Sequence, residues 1–278
     1  VPSKILSMKI QNSRDLILAY MEELRPSTST PRRFSPVYGF CSSGGLDHAV
    51  DVGKLLLLLG KDPRCLIINY LASESCLWER PSLYVSQRER PETVVVELLS
   101  SISGASLEEL AAHHVDPHAY ASVHAAALDM LFAPLYFSAV NDVPSLEGIV
   151  MKAKKRFGVL NVFVDDMSLL RLDPRRQPAE SDLPHVCKKL QALARRAEVA
   201  IFGGLTSMDL RNASSMADTA MRLENLGCGM ARLGIQRRGE TKPRFSLASI
   251  CPNCGRIERL RRTPWTEVSN RFEKMQRD

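Results

Sequence analysis

Six consecutive residues, Gly60-Lys61-Asp62-Pro63-Arg64-Cys65, lie between an apolar run over residues 55–59 and another over residues 65–72. The first run reads as a strand buried on both faces of a parallel sheet, the second as a buried helix. A phosphate-binding loop belongs at such a junction, in the pattern G-x-x-x-x-G-K-[ST]. It needs glycines for close backbone approach, a lysine for the phosphates and a hydroxyl for magnesium. Here no second glycine follows, Pro63 lacks a backbone donor, and Asp62 sets a negative charge where phosphate would lie. The residues predict the frame of an ATP site without its phosphate chemistry. A further apolar run, over residues 159–164, reads as a strand ending in Asp165-Asp166.

Other constellations are weaker. Cys251-Pro252-Asn253-Cys254-Gly255 is half of a zinc site. No second pair follows, and Pro-Asn with Gly suits a tight turn, so the expectation is a turn without metal. His113, His114, His118 and His124 cluster, but Pro117 disrupts the spacing that would converge them, and they read as solvated helix ends. Arg256, Arg259, Arg261 and Arg262, beside Trp265, form either a phosphate-contacting edge or an ordinary solvated hairpin face. Ser42-Ser43 and Ser214-Ser215 have no His/Asp context for nucleophilic catalysis.

The elements that must position these residues follow from periodicity. Helices are expected at 13–24, capped by Ser13, at 91–99, 106–110 and 119–131, at 145–157, capped by Ser145, and at 182–197, which is amphipathic with Lys188, Lys189, Arg195 and Arg196 outward. Strands are expected at 82–86, 135–137, 159–164, 199–202, 219–223, 230–235 and 244–250, with a return after Gly255. Strands alternating with helices, then late hairpins, predict an α/β fold: a mainly parallel sheet flanked by helices on both faces, with a C-terminal β-hairpin. The strands at 55–59, 82–85, 159–164 and 199–202 should be neighbours in one sheet. Residues 26–36 read as a linker by composition.

The chain has 278 residues, 45% of them hydrophobic, enough for one large domain with extensions. A net charge of +6 favours an anionic partner such as nucleic acid. Seven scattered cysteines suggest a reducing intracellular compartment rather than a disulfide framework. No apolar run reaches the length of a membrane span. The chain starts at Val1, so a processed or trimmed N-terminus is expected, and no intact targeting peptide is visible.

The order and wording of the segments resemble the motor domain of DnaB-type bacterial replicative helicases, within the wider RecA-like ATPases. Leu83-Tyr84-Val85-Ser86, Glu92 and Leu98-Leu99-Ser100-Ser101-Ile102-Ser103-Gly104 are similar to the family's F-S-L-E-M strand, helix and R-L-L-S-x-x-S-G. Ala133-Pro134-Leu135-Tyr136-Phe137, then Val162-Phe163-Val164-Asp165-Asp166-Met167-Ser168-Leu169, resemble the Walker B segment V-V-D-Y-L-Q-L. Gln236-Arg237-Arg238-Gly239-Glu240-Thr241 resembles K-Q-R-N-G-P-T-G. The resemblance runs from about residue 13 to residue 245 and implies a RecA-like domain over 37–265, preceded by a linker helix and flexible linker (1–36) and followed by a tail (266–278).

Departures from the pattern carry the functional expectation. The phosphate loop is about two residues short, with Arg64-Cys65 where the family has Lys-Thr. The family's catalytic glutamate falls on Arg88, and a permanent cation cannot act as a general base. Glu89 is adjacent, but a one-residue slip on a strand reverses its facing. Asp165 is retained. Arg237 aligns with the arginine finger that acts across a subunit boundary, with Ile235 in place of the neighbouring lysine. The channel-lining loop between Thr206-Ser207 and Asp209-Leu210-Arg211 is missing. Gly60, Lys61, Arg64, Cys65, Arg88, Asp165 and Arg237 are therefore expected to be remnants of a nucleotide site, with no cofactor. The expected role is an inactive binding or scaffolding subunit of a nucleoprotein assembly with RNA or DNA, not a homohexameric ring. A mitochondrial ribosome or its assembly intermediate is one home, in the mitochondrial matrix. The rival readings are an active helicase or recombinase-like ATPase with a divergent loop, and a helicase-interacting regulator.

Overall fold

A computed structural model describes residues 10–26, 51–87, 89–206 and 208–259. The expected linker beyond residue 26, Arg88, Ser207, Arg261, Arg262, Trp265 and the tail lie outside the described residues, as does the side chain of Arg259.

Among the described residues the main sheet has ten strands. Its centre is β3 (Leu55–Gly60), whose six residues are all buried, as an unbroken leucine run requires. On one side it pairs in parallel with β8 (Ala200–Leu205), then come β7 (Asn161–Val164), β4 (Ser82–Ser86) and β6 (Leu135–Ala139). The four strands expected to be neighbours are thus contiguous. At the far edge β1 (Gln11–Asn12) pairs antiparallel with β6. On the other side β3 pairs in parallel with β9 (Thr219–Gly227), which opens an antiparallel meander through β10 (Met230–Arg237), β11 (Arg244–Ile250) and β12 (Ile257–Arg259). A two-stranded parallel pair, β2 (Arg25–Pro26) with β5 (His114–Val115), stands apart.

Helices cover both faces and divide the core in two. Leu56, Leu58, Tyr84 and Phe163 point towards α1 (Ser13–Glu23), α2 (Pro63–Ala72), α3 (Pro91–Ser103), α4 (Leu107–Ala111) and α5 (Pro117–Phe132). The alternate residues Leu55, Leu57, Val85 and Val162 point towards α6 (Val143–Phe157), α7 (Leu183–Ala197) and α8 (Leu210–Met216). Two caps differ from expectation. Asn12, not Ser13, accepts from the first turn of α1, and Asp142, not Ser145, caps α6 by accepting the Ser145 N–H at 2.8 Å. In each case the carboxamide or carboxylate reaches free N–H groups from just outside the helix. Among the described residues no helix is long and apolar enough to cross a membrane.

α1 buries its stripe within its own chain. Ile17 is fully enclosed, Leu24 is buried, and the Tyr20 hydroxyl donates to the Leu110 carbonyl at 2.7 Å. The apolar face of α1 lies against α3 and α5.

Candidate functional site

The carboxyl ends of β3, β4 and β7 meet the first turn of α2, the crevice where open α/β sheets place ligands. Gly60 is the last residue of β3 and pairs with Leu223 of β9; α2 begins at Pro63. Only Lys61 and Asp62 connect them. Lys61 is exposed. The Asp62 carboxylate turns back onto the helix and accepts the Arg64 N–H at 3.1 Å, and Pro63 supplies no donor. The helix N-terminus, with its partial positive charge, therefore faces a carboxylate from its own chain.

Arg64 turns sideways towards α3. Its Nε donates to Glu97 at 2.7 Å and its Nη1 lies 3.5 Å from Glu89. Burial would lower its pKa, but Tyr84, Glu97 and Glu89 outweigh burial and the net direction is up. Glu97 is held above its ordinary value by burial, against the opposing pull of Arg64.

Asp165 follows β7 directly and is buried. The Ser86 hydroxyl donates to its Oδ2 at 3.0 Å and the Gln87 N–H to its Oδ1 at 3.1 Å. The Ser86 Oγ in turn accepts the Glu89 N–H at 2.8 Å, and the Gln87 side-chain carbonyl accepts the Asp166 N–H at 3.2 Å. Burial raises the Asp165 pKa despite these donors. Gly204 of β8 makes room for this arrangement, since a Cβ there would collide with the Asp165 carbonyl and with Ile67 of α2. Three donors beside the crevice, Arg64 Nη2, the Tyr84 hydroxyl and Gln87 Nε2, find no acceptor among the described residues.

The C-terminal turn closes over α2. Cys65 Sγ donates to the Gly255 carbonyl at 3.1 Å; its thiol is pushed up to about 12, chiefly by burial. Asn69 Nδ2 donates to the same carbonyl at 3.0 Å, its Oδ1 accepts the Ile257 N–H at 3.0 Å, and the Leu107 N–H donates to Asn253 at 2.9 Å. The Cys251–Cys254 segment is a turn, as expected, with Gly255 N–H donating to the Cys251 carbonyl at 2.9 Å. Among the described residues no group of three His, Cys, Asp or Glu side chains is placed to hold a metal. Cys254 is buried and its thiol is pushed up to about 11 by burial; at Cys251 burial is outweighed by the Cys254 thiol and backbone donors, so its pKa is lowered. Arg256 lies against Gly104 at the end of α3.

The structure brings Gly60, Lys61, Arg64, Cys65 and Asp165 to one end of the sheet. Arg237 is at the other: it ends β10 opposite Thr219, beside the amino end of β3. Five residues of extended chain separate these ends by about 17 Å. Within one chain Arg237 does not reach the crevice. Glu97, Ser86 and Gln87 were not legible as site residues. Asn69 gave a signal, as the strongly polar residue in an apolar run, because a buried amide must find partners.

No protein-family model and no curated protein matches the chain. Solved structures do. A DnaB-like replicative helicase, studied with its interactions with primase, superposes with a TM-score of 0.66 at 12% identity, covering 90% of this chain and 68% of that one. A second solved structure, of an ATPase domain, gives a TM-score of 0.61 at 11% identity, covering 76% of this chain and 86% of that one. The fold is that of RecA-like helicase domains.

Proposed function

We propose that this chain is a catalytically silent RecA-fold protein, acting as a binding or scaffolding subunit in a nucleoprotein assembly. The observation that carries the reading is the junction of β3 and α2. Two residues connect them, Asp62 caps the helix and Pro63 occupies its first turn. Phosphoryl transfer rests on a backbone cradle and on charges aimed at the transferred group. This connection is too short for a cradle, and a carboxylate there repels phosphate. Of the two cations beside it, Arg64 is engaged with Glu97 and Glu89, and Lys61 is exposed. Asp165, the carboxylate nearest to a metal position, is buried and already accepts bonds from Ser86 and Gln87. We conclude that the residues present do not fit a nucleotide with its metal.

A binding role is supported by exposed apolar side chains. Phe132 is 85% and Leu128 is 56% exposed, one turn apart on α5, and Leu77 and Trp78 are exposed in the π-helical turn that packs on the same helix. Exposed clusters of this kind mark protein contacts.

Phosphate release from ATP, with and without nucleic acid, tests the reading. The expected result is no turnover above that of the Asp165→Asn variant. Turnover that Asp165→Asn abolishes would overturn it and restore the ATPase.

A further inference from the structure

The positive charge of this chain is concentrated on one helical layer. α6 and α7 together carry eight lysines and arginines and a single acidic residue, Glu147. That excess is larger than the net +6 of the whole chain, so the rest of the molecule is close to neutral. The two helices pack side by side on the face of the sheet opposite α2 and α3. The concentration is therefore a property of the fold: α6 and α7 are separated in sequence by β7 and a long connection.

Three of the eight cations are engaged within the layer, Arg156 by lying 5.0 Å from the centre of the Phe157 ring. Arg196 pairs with Glu147, and Lys154 Nζ donates to the Glu198 carbonyl at 3.0 Å. Lys152, Lys155, Lys188, Lys189 and Arg195 are outward-facing and make no ion pair among the described residues. Helix-dipole compensation explains cations in the last turn. It does not explain Lys152, Lys188 and Lys189, which lie further from the helix ends and where the dipole's effect has faded.

We propose that the α6–α7 face binds the phosphate backbone of a nucleic acid. Residues 188 to 196 span about 12 Å along α7 at 1.5 Å per residue, and packed helices lie about 10 Å apart. The patch thus matches three to four backbone phosphates, an order-of-magnitude figure from these dimensions and the charge spacing of a strand. Its composition favours a polyphosphate over an anionic membrane. Interfacial helices present several large apolar side chains beside their lysines, whereas here the exposed residue between the cations of α7 is Ala192, and α6 exposes one such side chain, Met151, beside Lys152. This surface locates the nucleic-acid contact that the proposed function leaves unplaced. It rests on that reading only for the nature of the partner, not for the silence of the nucleotide crevice.

The test is fluorescence anisotropy of the full chain with labelled single-stranded RNA, single-stranded DNA and duplex DNA, and sedimentation with anionic vesicles, at two salt concentrations. Wild type should bind nucleic acid, with affinity falling steeply with salt, at about 0.7 to 0.9 logarithmic units per phosphate contact. Lys188→Glu with Lys189→Glu should weaken binding at least about tenfold. The control, Arg175→Glu with Arg176→Glu, makes the same change of net charge in an exposed loop and should leave binding within about twofold. Circular dichroism checks that both variants fold, and the sites are exposed. Equal losses in the two variants would show a non-local charge effect and overturn the proposal, as would binding to vesicles alone or no binding by wild type. Loss on substituting Arg256 and Arg259 but not Lys188 and Lys189 would overturn it too, moving the contact to the C-terminal turn. ATP turnover is measured on the same samples, so failure of this surface and failure of the silent-crevice reading are read separately.

Discussion

Replacing Arg64 by alanine separates a structural cation from a catalytic one. Arg64 and Glu97 have side chains 20% and 19% exposed and are joined at 2.7 Å. Unit charges about 4 Å apart attract by about 4 kcal/mol at an effective dielectric of about 20, and desolvation cancels a large part of it. Removing one partner leaves the Glu97 carboxylate largely buried and facing Glu89. Fully buried pairs lose about 3 to 5 kcal/mol when broken this way; partial exposure brings the expected loss to about 2 kcal/mol. In urea unfolding that is a midpoint shift of about 1 M or somewhat less. The pH dependence supplies the sharper check. Glu97 already has a folded pKa raised above 4.5 by burial, so the folded state holds its proton more tightly than the unfolded state. Its contribution then weighs against stability as pH rises through the window from 4.5 to the raised value. Without Arg64 that value rises further and the window widens. The deficit of Arg64→Ala should therefore be smallest below pH 4.5 and grow as pH rises through the raised value. Glu97→Gln removes the stranded charge, so the double variant should recover about 1 kcal/mol relative to additivity. A deficit that does not change with pH, or coupling below about 0.3 kcal/mol, would refute the structural role. Destabilisation that appears only as a lost thermal shift with ATP would return Arg64 to phosphate binding.

Purified protein should contain no stoichiometric zinc, and Cys254→Ser should not change its metal content; zinc lost in that variant would refute the turn. In the same protein Cys251 should react with an alkylating reagent before Cys254, whose buried thiol is pushed up to about 11, and the reverse order in a mass-spectrometric time course would contradict the geometry. Native mass spectrometry should give a monomer whose mass distribution does not respond to ATP, and a stable hexamer strengthened by ATP would restore the helicase reading.

The sheet was legible because its central strands are strongly marked. The five leucines at 55–59 can only be a doubly buried strand or a short buried helix, and Gly60 with Pro63 arbitrates between them. The parallel core and the late antiparallel strands followed from alternation and order; the crevice followed from the strand–turn–helix junction at Gly60 to Cys65, and Asp165 from the family resemblance. What was not legible is long-range pairing. Arg64 and Glu97 are 33 positions apart, Ser86 and Asp165 are 79 apart, and Asn69 and Gly255 are 186 apart. Side-chain types do not specify a partner at such separations until the sheet order is known. The caps failed locally for a different reason: Asn12 and Ser13 are adjacent capping residues, as are Asp142 and Ser145 within one turn, and the backbone decides which stands outside the helix.

The placement of α1 bears on assembly. α1 turns Ile17, Tyr20 and Leu24 inward and leaves Leu18 as its exposed large apolar side chain, and β1 pairs with Tyr136 and Phe137 at the edge of β6. Covered edges oppose open-ended strand pairing. Leu18, Val52, Leu107, Met151 and Phe245 are exposed at scattered positions, and a cluster of apolar side chains is exposed at Leu128 and Phe132 of α5 and the adjoining Leu77 and Trp78. The cluster lies on the α1–α5 side of the sheet, whereas the outward cations lie on the α6–α7 side. Repeated head-to-tail rings need two complementary patches on each subunit, one fitted to the other. An apolar patch on one face and a basic patch on the other are not complementary to each other. Under the proposed function they serve two different partners, one protein and one polyphosphate, on opposite sides of the sheet.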